Sequence, residues 1–126
     1  GEHVSFGPSW AWPEPVQERL PVLVGGGAGP KLLDHAVAYG DGWIPVGGSG
    51  LSETIPELHR RLARAGRDPA GFRIVPFGSQ PTPGKLDHFA ALGVTEVVCR
   101  IPSVGRDEAL AVLDDLVGVW EEWMSG

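Results

Sequence analysis

The chain has almost no cysteine: Cys99 is the only one in 126 residues. One thiol cannot build an intramolecular disulfide framework or a cysteine-rich zinc site, and it suits a reducing, cytoplasmic compartment. Positive charge is also scarce. Ten Lys and Arg stand against 16 Asp and Glu, a formal net charge of −6. The basic residues form no dense cluster, which argues against nucleic acid or an anionic membrane surface as a partner. No apolar run approaches the roughly 20 residues of a membrane-spanning helix. The four histidines, His3, His35, His59 and His88, lack the spacing of metal ligands, so no metal is expected and surface or helix-packing roles are assigned to them. H-E-x-x-H, G-x-S-x-G and paired strand-end carboxylates are missing, which removes support for metal hydrolysis and acyl transfer.

Glycine and proline, by contrast, are plentiful: 19 and 12 residues. With 42% hydrophobic and 21% charged residues the composition is that of a globular domain with many turns, not of a disordered chain. The length accommodates one domain with a core of its own. Residues 1–21 carry Trp10, Trp12, Pro8, Pro13 and Pro15; prolines that remove backbone donors make a long strand or helix improbable there, and the segment reads as an ordered arm. The remaining residues, 22–126, read as one α/β domain.

That domain alternates. Short continuous apolar runs, Val22–Val24, Gly42–Val46, Arg73–Phe77 and Glu96–Ile101, fit strands buried on both faces of a parallel sheet. Each precedes a segment of helical period. Lys31–Tyr39 stops at Gly40; a second helix enters through a capping box, Thr54 to Glu57, and ends at Gly66; Lys85–Leu92 ends at Gly93; the last runs from Asp107 to Met124. Four βα units imply a parallel sheet with right-handed crossovers. Two architectures satisfy that order: an open four-stranded layer, or half of a (β/α)8 TIM-type barrel, which needs eight units and about 250 residues. In the second case two copies make a barrel, and a homodimer is expected, because half a barrel leaves two open edge strands and an uncovered apolar interior.

The sharpest local signal for chemistry is Val22-Leu23-Val24-Gly25-Gly26-Gly27-Ala28-Gly29-Pro30-Lys31, a strand, a glycine-rich turn and a helix start. Absent β-carbons let backbone approach a ligand, and free amides at a helix start attract phosphate, so Gly25, Gly26, Gly27, Ala28 and Gly29 are the candidate cofactor-phosphate cradle. A ligand-free strand-to-helix turn explains the same pattern. It is neither a P-loop nor the dinucleotide fingerprint, because Pro30 stands where either motif requires a small residue. Ser79, Gln80 and Ser103 fall in other strand-end loops and are candidates to line a pocket, as ordinary loop residues also would. Arg100 interrupts an apolar run and faces either an anion or a helix carboxylate. Trp43 stacks on a planar ligand or is core. Cys99 reads as a small buried apolar residue, with no base to make it a nucleophile.

Phe6-Gly7-Pro8-Ser9-Trp10 with Trp12-Pro13 and Pro15-Val16-Gln17, then Pro21–Gly26, then Ala38-Tyr39-Gly40-Asp41-Gly42-Trp43, with the later Ala65–Pro69 and Gly93–Val98, resemble the C-terminal half of luciferase-like monooxygenases. The branch that uses a deazaflavin (coenzyme factor 420) is especially similar. The resemblance implies a TIM-type barrel that binds flavin mononucleotide (FMN) or the deazaflavin at the carboxyl ends of its strands, with Gly25–Gly29 against the cofactor's phosphate or ribityl chain. The N-terminal half-barrel of that family has no counterpart here, so no catalytic residue is carried over. Two functions follow: part of a flavin- or deazaflavin-dependent oxidoreductase, completed by another half-barrel, or a non-catalytic half-barrel acting as a dimeric binding or structural module.

Overall fold

A computed structural model describes residues 2–10 and 12–126. The elements run β1 (Leu23–Gly25), α1 (Pro30–Tyr39), β2 (Gly42–Ile44), α2 (Leu51–Arg64), β3 (Arg73–Ile74), β4 (Phe77–Ser79), α3 (Pro83–Leu92), β5 (Val98–Cys99) and α4 (Arg106–Ser125). β1, β2 and β3 form one parallel sheet in that order, and β4 and β5 form a second parallel pair. A parallel bridge between Val46 and Phe77 joins the two. Amides of Val75 and Phe77 donate to Trp43 and Pro45 at 2.9 and 2.8 Å, and Val98 donates to Pro76 at 2.9 Å. Four extended segments therefore lie side by side in chain order, with their carboxyl ends on one edge.

The strands are shorter than the sequence predicts, for identifiable reasons. Pro45 and Pro76 bring no amide to the ladder, which interrupts the expected runs Gly42–Val46 and Arg73–Phe77. The expected strand Glu96–Ile101 reduces to Val98–Cys99. Its single neighbour, β4, is bulged at Gly78 (φ 75°), where the register shifts between Phe77 and Ser79.

Helix boundaries also move. α2 starts not at a Thr54 capping box but after Gly50, whose φ of 73° lies in the left-handed region, with no side-chain cap. Leu51 is buried in the core, and the Thr54 amide already donates to the Gly50 carbonyl at 3.1 Å. Burial of Leu51 wins over the local cap, and Pro56 is taken inside the helix. α3 starts two residues early, with Pro83 in its first turn and the Thr82 hydroxyl accepting from the Lys85 amide at 3.3 Å.

The core lies on one side of the β1–β2–β3 sheet, where Leu33 and Ala36 of α1 and Leu51, Ile55, Leu58 and Leu62 of α2 meet Trp43, Phe72 and Ile74. Arg67 closes the far end of α1: its guanidinium donates to the carbonyls of Ala36, Val37 and Gly40 at 3.3, 2.7 and 2.6 Å and sits 5.6 Å from the Phe72 ring centroid. Ile74, Val75 and Pro76 are buried one after another, so this segment is covered on both faces as expected, whereas Val46 and Phe77 further along are exposed. α4 contributes no fully buried residue at all. Described residues before β1 form no helix or strand and are exposed; Gly1 and Ala11 of the expected arm lie outside the described residues. Asp41 ties the end of this stretch down, accepting from Arg19 and from the Val22 amide, both at 2.7 Å. Among the described residues no helix is long and apolar enough to cross a membrane.

The accessible surface is 8886 Å². A self-contained monomer of 13.4 kDa exposes about 6,500 Å², so the chain shows about 2,400 Å² more than its mass requires.

Candidate functional site

The glycine turn leaves β1 at Gly25 and enters α1 at Pro30. Its first bend is fixed from three sides. Gly26 adopts φ 138°, a region side chains rarely enter, so the backbone demands glycine; an added Cβ would also stand 2.7 Å from Leu32 Cδ1, the end of a flexible side chain that can move aside. The Gly26 amide donates to the Ile44 carbonyl at 3.2 Å, and the Gly26 carbonyl accepts from Trp43 Nε1 at 3.0 Å. Trp43 is thus core, as one of its two sequence readings holds, and it also braces the turn through its polar edge. Sequence reasoning missed this second role, although a buried indole N–H always needs an acceptor.

The other glycines of the turn differ. Gly25, Gly27 and Gly29 have no positive φ, and an added Cβ at any of them meets nothing within 4 Å. Neither strain nor packing within the chain requires glycine at these three positions. Gly29 precedes α1 without a side-chain cap, and the first turn holds no acid. Lys31 stands there instead, exposed and, among the described residues, without an ion pair. A helix dipole favours negative charge at this end, so the start of α1 is electropositive on two counts. Arg61 of α2 steadies it, reaching the Pro30 carbonyl at 3.4 Å and Asp34 at 2.7 Å. Glu57 holds Arg61 from the other side at 2.8 Å, and its carboxyl lies below the usual range because it accepts hydrogen bonds from Arg61 and Arg60.

The remaining candidates do not converge on the turn. Ser79 is buried at 3% exposure with its hydroxyl unpartnered. Gln80 and Ser103 are exposed, and the Gln80 carbonyl accepts from Lys85 Nζ at 3.3 Å. Arg100 is exposed and, among the described residues, meets no helix carboxylate. His35 meets Tyr39 within α1 at 3.0 Å and His88 meets Ser52 at 3.2 Å, both helix-surface contacts. The described residues hold no group of three or more His, Cys, Asp or Glu placed to bind a metal.

A cavity of about 420 Å³ opens elsewhere, between α3, β5 and α4, lined by Leu86, Phe89, Leu113, Val117 and Trp120 among others. Cys99 lines it too, half-buried rather than buried as the sequence suggests, and burial pushes its thiol pKa up, away from nucleophilic use. Two polar side chains in its wall are already engaged: Thr95 with the backbone of Ile74, Glu96 with Arg73. The cavity offers apolar contact and no chemistry.

The sequence pattern of luciferase-like monooxygenases matches residues 1–81, which include the whole glycine turn and its Trp43 brace. The chain belongs to the luciferase-like monooxygenase family. Uncharacterized proteins of Mycobacterium tuberculosis (Rv0953c) and Mycobacterium bovis (Mb0978c) are each 42% identical to it over 117 residues, 92% of this chain. The chain spans 41% of the length of these relatives. No solved structure matches it.

Proposed function

We propose that this chain is the cofactor-phosphate-binding half-barrel of a flavin- or deazaflavin-dependent oxidoreductase of the luciferase-like type. The observation that carries the reading is the division among the glycines: Gly26 is explained by its own φ and by Leu32, whereas Gly25, Gly27 and Gly29 are not. Glycines that the fold does not need, beside an uncapped helix start with a lysine in its first turn, suit the approach of a phosphate. FMN and the deazaflavin both carry one. Amides of Gly27 and Ala28 and of the first turn of α1 would hold it, with Lys31 balancing its charge. The redox chemistry, hydride transfer or oxygen activation, belongs to the cofactor.

Four parallel segments in chain order, with the turn at their carboxyl edge, agree with half of a (β/α)8 barrel. Positioning a flavin ring against a substrate needs groups from several strands, so the isolated half is expected to bind without turning over. Because the chain spans 41% of its relatives' length, a second reading stands beside the first: a non-catalytic binding module with the same anion site. Titration with FMN, the deazaflavin and riboflavin, followed by ligand fluorescence, tests the site. FMN and the deazaflavin should bind and riboflavin, without phosphate, should bind at least tenfold more weakly. Gly27→Val should abolish the difference without unfolding the chain. Equal binding of riboflavin and FMN, or an unaffected Gly27→Val, defeats the assignment; turnover of reduced flavin with an aldehyde would decide for the enzyme over the module.

A further inference from the structure

We propose that Trp43 is a positioning residue for the cofactor turn: its indole N–H anchors Gly26, and phosphate binding depends on that bond more than the fold does. The inference deepens the phosphate reading and rests on it.

Hydrophobic burial does not ask for this nitrogen. Trp43 is the middle residue of β2, paired with Val24 of β1 and Ile74 of β3, and only 1% exposed. The core around it is apolar, with Leu51, Ile55, Leu58 and Leu62 among its members, and a ring without a polar atom would serve the same packing. An indole brings one N–H that needs an acceptor when buried. The acceptor it meets, at 3.0 Å, is the carbonyl of Gly26, the first residue past the end of β1. The one polar atom of this side chain is therefore committed to the turn.

Gly26 is the last firmly held point before the turn opens. β2 grips it twice, through Trp43 Nε1 and through the Ile44 carbonyl, which accepts from the Gly26 amide at 3.2 Å. Beyond it the ties are few. Gly29 donates to the Gly27 carbonyl at 2.8 Å and accepts from the Leu33 amide at 3.1 Å. Among the described residues, the amides of Gly27 and Ala28 make no hydrogen bond. A glycine-rich segment has many conformations to lose, and a ligand that must order it binds more weakly by that amount. Fixing the first residue of the turn before the ligand arrives removes part of this cost.

Loss of the bond falls unevenly on fold and site. Gly26 is half-buried, so water can take the place of the indole at its carbonyl, and the fold loses little. The turn loses one of its two anchors. Affinity for the phosphate should accordingly fall while affinity for the rest of the cofactor stays, a split that general damage to the core does not produce.

Two variants remove the donor. Trp43→Phe keeps an aromatic ring in the core, and Trp43→benzothienylalanine, with sulfur in place of the N–H, keeps the volume nearly constant. Ile55→Val is the control, a change in the same core at a residue without a hydrogen bond to the turn. Flavin fluorescence titrations of the intact chain compare FMN with riboflavin. Wild type and Ile55→Val should prefer FMN by at least tenfold, and both Trp43 variants should lose at least fivefold of that preference. A preference retained by the Trp43 variants, or lost equally by Ile55→Val, overturns the proposal while leaving the phosphate reading in place. A wild type that binds FMN and riboflavin alike defeats both. Should neither Trp43 variant fold, the indole N–H resonances of the wild type decide. Trp43 is the one buried tryptophan, so its proton is the slowest to exchange with deuterium. That signal should shift on addition of FMN and stay in place with riboflavin; a signal moved by both or by neither refutes the anchor.

Discussion

The first two βα units and the last one are built from similar sequence and end in different states. α1 and α2 share one side of the β1–β2–β3 sheet, and between them Leu33, Ala36, Leu58, Leu62 and Trp43 are shut off from water. α4 is the longest helix, 20 residues, rich in Leu, Val and Trp, yet none of its residues is fully buried. It touches α3, and Trp123 Nε1 donates to Asp87 at 2.8 Å, but β5 is two residues long and, among the described residues, has no strand beyond it. A helix packed on a parallel sheet is only as buried as the strands beneath it allow: α2 lies beside three paired strands, and among the described residues α4 has only the β4–β5 pair. Apolar pattern alone therefore does not make core: it makes a claim on a partner, met inside the chain for two units and open for the last.

Leu58→Ala should sharpen this contrast most, costing about 3–5 kcal/mol in urea unfolding, because a wholly buried leucine in a packed core leaves a cavity. Leu113→Ala on α4, at a position 42% exposed, should cost less than about 1 kcal/mol. Equal losses at the two sites would mean that α4 is as packed as α2 and would break the comparison. Next in size is Arg67→Met, expected to destabilise by about 2 kcal/mol, since three carbonyls at the end of α1 lose charge-assisted donors. A loss within 0.5 kcal/mol, roughly the scale of an ordinary surface change, would show that water replaces the guanidinium freely. At the turn itself, Gly26→Ala should cost about 1–2 kcal/mol from its φ and the Leu32 contact, and Gly27→Ala about nothing. Thermal melts of the pair separate strain from open space.

The smallest effect concerns the anchor of the N-terminal stretch. Hydrogen bonds from the Val22 amide and then Arg19 hold the Asp41 carboxyl below its ordinary value of 3.8. A depressed folded-state pKa contributes stability that is present above the unfolded value and lost as pH falls through the folded one. The stretch should therefore stay docked at neutral pH and become more readily cut by an acid-active protease below about pH 4. Asp41→Asn should show the acid behaviour at neutral pH, and equal cleavage of variant and wild type would remove Asp41 from the anchor.

Element order was legible in the sequence, because each βα unit carries a β-branched run, a helical stripe and a glycine stop such as Gly40 or Gly93. Boundaries were legible only where local chemistry and packing agree. Thr82 with Pro83 is a local cap visible in the sequence two residues before the expected helix start at Lys85, whereas the Thr54 box is overruled by burial of Leu51, which no local signal announces. The glycine turn was visible as a motif, but its division into required and unrequired glycines was not: that depends on a φ and on where Leu32 lands. The exposure of Val46 and Phe77 was hidden for a further reason. Continuous apolar runs describe what a strand is meant to touch, and they read alike whether the second layer is present or not.

The bond from Trp43 to the Gly26 carbonyl has an effect on the far side of the same peptide group. A trans peptide is planar, and its C=O and N–H point in opposite directions; the Gly26–Gly27 bond is trans, since the cis bond among the described residues is Trp12–Pro13. With the carbonyl turned inward to the indole, the Gly27 N–H is turned outward, away from the core. A tryptophan buried for its size thereby sets the polarity of the turn, holding a donor toward the open edge and preventing the peptide flip that would present an oxygen there instead.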